Sequence, residues 1–195
     1  MTYRTPAAVT VSAEDLIQFG ISRGLTLESF QQALSTLAPT SEEKPTVSAG
    51  GPTYTVTVNY SLTKPQMIAV GNYDYVNDFL RDNDPVEGKI EGAGQVEVAL
   101  ERIHFNQVIS TTDALKEIKK MGREPARLEH LLALGAKHPN LQKEFPIVAL
   151  GSVWQYPHDY RGVAYLGGWD GGRRLDLSWS DDDWFGSCRF LVVGK

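Results

Sequence analysis

The side chains best suited to chemistry are few and scattered. The four histidines are His104, His130, His138 and His158. His130 and His138 fall on one expected helix, about two turns apart. They can share a face, but not one metal ion in the manner of an i, i+4 pair, so packing or surface roles are expected. The single cysteine, Cys188, precedes the apolar run Arg189-Phe190-Leu191-Val192-Val193. That setting predicts a buried, inert thiol rather than a nucleophile. One cysteine also rules out an internal disulfide and a Cys-rich zinc site. Asp170, Asp176 and the run Asp181-Asp182-Asp183 concentrate carboxylates. They could form an oxygen-rich calcium site, but no Glu completes an EF-hand spacing, and a solvated turn is the plainer reading. A pair of them could serve glycoside hydrolysis, yet nothing in the spacing selects two. No Gly-rich turn leads from a strand into a helix with phosphate-binding spacing. Gly167-Gly168 and Gly171-Gly172 read as turn glycines around Trp169-Asp170. No catalytic residue, metal ligand or cofactor is assigned, and a non-enzyme is expected.

The last 45 residues carry a different signal. Leu175, Leu177 and Trp179 alternate with Arg174, Asp176, Ser178 and Ser180, as in a strand with one buried face. Around them lie Tyr156, His158, Asp159, Tyr160, Tyr165, Asp182, Asp183 and Ser187. Tyrosine offers large contact area at low entropy cost, and Ser and Gly offer adaptable hydrogen bonding, which is the composition of a binding surface. It is also the composition of an ordinary Gly-rich β meander with polar outer positions.

The elements that must position these residues follow from periodicity. The chain has 195 residues, 42% hydrophobic and 22% charged, with a net charge of -5. That balance suits one globular domain, or a domain with an extension, and argues against a nucleic-acid partner. Met1 to Gly20 lacks the pattern of a secretory signal, and no run of 18 apolar residues could span a membrane. The expectation is a soluble chain without membrane insertion, its location open among cytoplasm, virion and a surface reached by another route.

Residues 1–38 predict two short helices, Ala13 to Phe19 and Leu27 to Leu37, a helical appendage that could also join copies of the chain into a homo-oligomer. Residues 39–53, rich in Pro, Ser, Thr, Gly and Glu, predict a linker. Residues 54–195 form the expected main domain. Tyr54 to Tyr60 alternates as a strand. Pro65 opens a helix carrying Met67, Ile68, Tyr75, Val76, Phe79 and Leu80, with Gly71 and Asn72 as an interruption. Gln95 to Phe105 is a second strand. Ser110 caps a helix from Thr111 to Met121 with Leu115 and Ile118 inward, stopped by Gly122. Pro125 opens another, with Leu128, Leu131, Leu132 and Leu134 as its core face. Four strands follow: Ile147 to Val153, Val163 to Leu166, Arg174 to Trp179, and Cys188 to Val193.

Several short motifs stand in a telling order. Ile109-Ser110-Thr111-Thr112-Asp113-Ala114 begins one helix, and Gly122-Arg123-Glu124-Pro125-Ala126-Arg127-Leu128-Glu129 opens the next. Val148-Ala149-Leu150-Gly151-Ser152 follows, and Trp184 with Cys188-Arg189-Phe190-Leu191-Val192 closes the chain. Over residues 95–195 this order resembles the C-type lectin fold in its formylglycine-generating-enzyme-like branch. It is similar in particular to the variable proteins of diversity-generating retroelements, known from phages and from small-genome bacteria and archaea.

The resemblance implies a fixed lectin-like frame bearing a surface rewritten by error-prone reverse transcription at adenines. Asn codons so mutated reach Asp, His, Tyr, Ser, Gly, Arg, Cys and several others, but not Trp, which implies frame roles for Trp154, Trp179 and Trp184 and leaves Trp169 ambiguous. Formylglycine-generating enzymes use paired cysteines and copper, which a chain with Cys188 alone does not offer. The Glu-Pro-Asn or Gln-Pro-Asp loop and the Trp-Asn-Asp triplet of calcium-dependent sugar binders are also absent.

The expectation is an α+β protein that binds a protein or glycan ligand through a diversified face in residues 154–188. Trp154, Trp179, Trp184, Leu175, Leu177 and Phe190 hold the strands. Tyr156, His158, Asp159, Tyr160, Tyr165, Asp170, Asp176, Ser178, Ser180, Asp182, Asp183 and Phe185 form the contact surface. The rival expectations are a carbohydrate-active enzyme using two of the Asp residues, and a structural phage or surface component assembled through the N-terminal helices.

Overall fold

The structure, a computed structural model, describes residues 52–194, within a unit spanning Pro45–Lys195. The expected helices of residues 1–38, and the linker as far as residue 51, lie outside the described residues. The chain order is β1 (Tyr54–Asn59), α1 (Lys64–Gly71), β2 (Tyr75–Val76), α2 (Asp78–Asp82), β3 (Gln95–Ile103), α3 (Thr111–Lys120) and β4 (Glu124–Pro125). Then come α4 (Leu128–Lys137), α5 (Leu141–Glu144), β5 (Ile147–Gln155), β6 (Arg161–Trp169), β7 (Gly172–Trp179) and β8 (Arg189–Val193). A single turn of 3₁₀ helix, Pro157–Asp159, joins β5 to β6.

The architecture mixes α and β around one open sheet of eight strands, ordered β1-β3-β8-β5-β6-β7-β2, with β4 added beside β8. Most neighbours are antiparallel; β5–β8 and β2–β7 are parallel. Successive strand residues point to opposite faces, so each apolar strand feeds two cores. Ile147, Ala149, Ala164, Leu166, Leu175 and Leu191 pack with α1 and α4. Val148, Val163, Phe190 and Val192 pack with Ala114 and Ile118 of α3. Among the described residues, no helix is long and apolar enough to cross a membrane.

Helix ends follow local chemistry. Ser110 Oγ accepts the Asp113 N–H at 3.1 Å to start α3. At the other end Gly122 N–H donates to Lys119 O and Arg123 N–H to Ile118 O, with Gly122 at φ 67°, the geometry of a Schellman stop. At the start of α4, His130 Nδ1 accepts the Arg127 N–H at 3.0 Å, and Ser152 Oγ accepts the Leu128 N–H at 3.0 Å.

Ser152 belongs to an irregularity in β5, where the register with β6 shifts between Ala149 and Val153. The freed Gly151 N–H donates to Ala126 O at 2.9 Å, and Ser152 Oγ–H donates to Gly88 O at 2.6 Å. This bulge ties β5 to the start of α4 and to the loop before β3. Gly88 sits at φ 63°, and a Cβ there would run into the Gly151 carbonyl, so glycine is required.

Tertiary pairing overrides several expectations. The helix from Pro65 stops at Gly71. Arg173 donates to the carbonyls of Gly71 and Asn72, and Asp74 N–H and Asn77 N–H bond to Arg173 O and Leu175 O, drawing Tyr75 and Val76 into the sheet. Pro125 does not open a helix: it pairs with Val192, and α4 starts at Leu128. Leu115 is 37% exposed, and Ala114 with Ile118 carries the buried side of α3. Gly167 and Gly168 lie in β6 rather than in a turn, and only Gly171 of the second pair occupies one.

Candidate ligand-binding face

Register on β6 and β7 decides which side chains meet. Tyr165 lies opposite Asp176, Val163 opposite Ser178, and Gly167 opposite Arg174. In the parallel pair, Tyr75 of β2 lies beside Arg174. Alternation therefore places Tyr75, Arg174, Asp176, Tyr165 and Ser178 on one face at the free end of the sheet.

Asp176 organises that face. Its Oδ1 accepts from Asn77 Nδ2 at 2.8 Å and from its neighbour Leu177 N–H at 2.8 Å. Its Oδ2 faces Arg174 Nη2 at 2.9 Å and the Tyr165 hydroxyl at 3.4 Å. The carboxylate is thus committed to neighbours, a scaffold for the face rather than a free acid. Arg174 extends between two exposed aromatics, 4.9 Å from the Tyr75 ring centre and 5.4 Å from that of Trp169. Burial raises the Tyr165 phenol pKa, and the Asp176 charge adds to it.

Next to Tyr165 the face deepens into a pocket of about 470 Å³. Tyr165, Ser178, Asp182, Asp183 and Phe185 line it together with Val148, Trp184 and Cys188. Trp184 is held from three directions. Its backbone exchanges both hydrogen bonds with Ile109, its Nε1–H donates to Thr111 Oγ1 at 2.8 Å, and its ring meets Phe190 edge-on. Phe185, by contrast, is 76% exposed at the lip. The Cys188 thiol is buried, and burial pushes its pKa up, which disfavours the nucleophilic thiolate. The pocket thus has an apolar, rigid floor and a polar rim of carboxylates and hydroxyls, suited to orienting a bound group by shape and hydrogen bonds.

The other expected contact residues lie elsewhere. Trp179 pairs with Gly162, on the opposite face from Ser178. Tyr156 packs over Gly162, stacks on Phe79 at 4.0 Å and meets Trp179 edge-on at 4.9 Å. Tyr160 leans on the same Trp179 at 5.5 Å. Between the tyrosines, His158 and Asp159 are exposed and both take φ 65°, while Tyr156 N–H to Tyr160 O closes the loop at 2.7 Å. Burial raises the Tyr156 phenol pKa, with Asp176 adding to it. Ser180 is half-buried and bonded through N–H and Oγ to Arg161 O. Asp170 stands exposed in the β6–β7 turn.

Six of the twelve expected contact residues therefore lie around Tyr165 and four in the 156–160 loop, with Asp170 and Ser180 apart from both, and Tyr156, Tyr165, Asp176, Ser178 and Ser180 are half-buried rather than free. Trp179 also departs from its expected frame role. It is 45% exposed, because it stands at the end of β7, beyond the core that buries Leu175 and half-buries Leu177. Trp154, Trp184, Leu175 and Phe190 are buried. Sequence reasoning missed Tyr75 and Asn77 because they lay in an expected helix; the turn-forming Gly71-Asn72 ahead of them was the available signal. Among the described residues, no group of three or more His, Cys, Asp or Glu side chains is placed to hold a metal ion.

Comparison with protein-family models, with curated proteins and with solved structures finds no match to this chain.

Proposed function

We propose that this chain is a non-enzymatic binding protein of C-type-lectin-like fold, whose surface around Tyr165 is diversified in the manner of retroelement variable proteins and takes a protein or glycan ligand. The observation that carries this reading is the pocket itself. Five of the residues expected from sequence to touch ligand, Tyr165, Ser178, Asp182, Asp183 and Phe185, line one concavity over a buried apolar floor.

Two further features support it. Strand β3, at the start of the lectin-like region, pairs with the terminal β8; α3 and α4 fall between them, and a β5–β6–β7 meander follows. This agrees with a frame that closes on its own ends. The ladder of β6 and β7 also satisfies backbone groups whatever the side chains are, so outward residues can change at little cost to stability.

Population sequencing of codons 150 to 195 in the source tests the proposal. Substitutions concentrated at the pocket rim and the 156–160 loop, with Trp154, Trp184, Leu175 and Phe190 constant, are the expected result. Uniform codons across the population would remove the diversified-receptor reading. An unselected spread through the buried positions would remove the lectin-like frame with it.

A further inference from the structure

Two arginines are left without a counter-charge, and they are neighbours. Arg81, Arg123, Arg127, Arg161 and Arg174 each face a carboxylate. The buried Arg173 donates instead to Gly71 O, Asn72 O, Gly135 O and Gln142 Oε1. Arg102 and Arg189 have neither kind of partner set among the described residues. Arg102 of β3 pairs with Leu191 of β8, and Arg189 precedes Leu191 by two positions. A two-residue step keeps to one face of a strand, so the two side chains are diagonal neighbours across the β3–β8 ladder. Theirs is the face of Leu100, Ile147 and Leu191. The pocket at Tyr165, with Val148, Trp184 and Cys188 in its floor, belongs to the other.

Both side chains lean on Phe145. The Arg102 guanidinium lies 4.6 Å from its ring centre and that of Arg189 4.8 Å, and Arg102 also lies 5.0 Å from the Tyr54 ring centre. These half-buried rings hold the long side chains in place, but they give the guanidinium N–H groups no oxygen to bond. Arg102 Nε is buried without a partner, while its Nη1 and Nη2 are neither sealed nor bonded among the described residues. Arg189 Nη1 donates to Ser187 O at 2.7 Å and weakly to Cys188 O, which leaves Nε and Nη2 open. Burial first, and the Arg102 charge second, hold the Arg189 guanidinium pKa below its ordinary value. The second cause is repulsion between two like charges that no carboxylate offsets.

We propose that Arg102 and Arg189 form a separate oxyanion site that takes a phosphate group. The Nη1–Nη2 edge of Arg102 and the Nε–Nη2 edge of Arg189 are each a fork for two oxygens. A phosphate keeps three acceptor oxygens even as an ester, whereas a carboxylate has only two. Its charge of nearly -2 also matches the pair. Free phosphate and a phosphate ester bring the same chemistry, and the probes below separate them. This inference does not rest on the diversified-face reading, because the two sites share no residue and lie on opposite faces of the sheet.

The test is a titration of the full chain near pH 7.5, at constant ionic strength, with inorganic phosphate, methyl phosphate and acetate, followed through the arginine Nε–H resonances. Inorganic phosphate is expected to shift the signals of Arg102 and Arg189 and to bind at least about tenfold more tightly than acetate. Methyl phosphate binding as well as phosphate would assign the site to a phosphorylated ligand; its exclusion, with phosphate bound, would assign it to the free ion. Arg102→Gln and Arg189→Gln should each weaken phosphate binding at least about tenfold, and Arg81→Gln, on α2, should leave it unchanged. The proposal is overturned if neither arginine signal moves, if acetate binds as well as phosphate, or if Arg81→Gln loses as much as the paired variants. Should a paired variant fail to fold, the anion comparison and the arginine signals of the unaltered chain still decide.

Discussion

Protonating His130 should loosen the start of α4, and the size of the effect can be worked out. Its Nδ1 accepts the Arg127 N–H at 3.0 Å, and the ring is 7% exposed. An accepting nitrogen carries no proton, so this bond belongs to the form with Nδ1 free. Burial first, and the Arg127 charge second, push the pKa from 6.5 down to about 4. In the unfolded chain the imidazole takes its proton near pH 6.5. Between these values the unfolded state binds more protons than the folded one, so stability rises with pH across the window and is lost as pH falls through it. A gap of about 2.5 pH units, at about 1.4 kcal/mol each, is worth about 3 kcal/mol. Glu129 acts in the opposite sense: its raised pKa lets the folded chain take up that proton first, which favours folding as pH falls. His130→Asn isolates the histidine, because the amide oxygen can accept the same N–H without titrating. Urea unfolding followed by tryptophan fluorescence at pH 7 and pH 4 gives the two free energies. Between those pH values the stability difference should move by about 3 kcal/mol in favour of His130→Asn. A difference that does not change with pH would refute the assigned cap, since the ring would then take its proton as readily folded as unfolded.

Other positions give equally direct expectations. Trp154 is fully buried and donates Nε1–H to Asn83 O at 2.9 Å, so Trp154→Ala should cost about 3–5 kcal/mol in thermal or urea unfolding. Trp179→Ala should cost no more than about 1.5 kcal/mol, the scale of its aromatic contacts; the reverse order of the two variants would contradict the frame described above. Ser152→Ala removes an acceptor from Leu128 N–H and a donor from Gly88 O, and should destabilise by about 1–3 kcal/mol in urea. Asp176→Asn takes away a negative charge that opposes ionisation of Tyr165, so ultraviolet titration should find that phenol ionising at lower pH. An unaltered Tyr165 titration would show that the carboxylate does not act on it.

What the sequence disclosed, and what it hid, follows from how local each signal is. Strand alternation and the apolar spacing on α4 are properties of neighbouring residues, so β1, β3, β5 and the buried Leu128, Leu131, Leu132 and Leu134 were legible. The Ser110 cap and Gly122 stop were legible for the same reason. The conversion of Tyr75 and Val76 into strand depends on Arg173 and Leu175, about 100 residues away, and no local pattern encodes that. Likewise, Pro125 fits a helix start by propensity, but its neighbour Ala126 N–H is taken by Leu191 O. In the candidate site, residue types drew attention to residues 154–188 as a stretch of chain. Alternation separated Asp176 and Ser178 from Trp179 within β7, but which β6 residues lie beside them depended on the register of β6 against β7, which the sequence alone does not fix.

That register also grades the tolerance to change among the expected contact residues, and so sharpens the sequencing experiment. Residues on one strand face are not equally free. Asp182, Asp183 and Phe185 are exposed, and none makes a side-chain hydrogen bond among those found in the described residues. Replacing them removes little that holds the frame together. Asp176 holds Asn77, Arg174 and Tyr165 at once, and its loss would release three neighbours of the pocket together. Tyr156 is locked between the rings of Phe79 and Trp179, while the exposed Tyr160 has Trp179 as its one aromatic ring neighbour among the described residues. If ligand choice is rewritten on this frame, variation should therefore be steep at Asp182, Asp183, Phe185 and Tyr160. It should be shallow at Asp176 and Tyr156, although all six share the composition of a binding surface. A profile in which Asp176 varies as freely as Phe185 would mean that the face is not organised through its carboxylate.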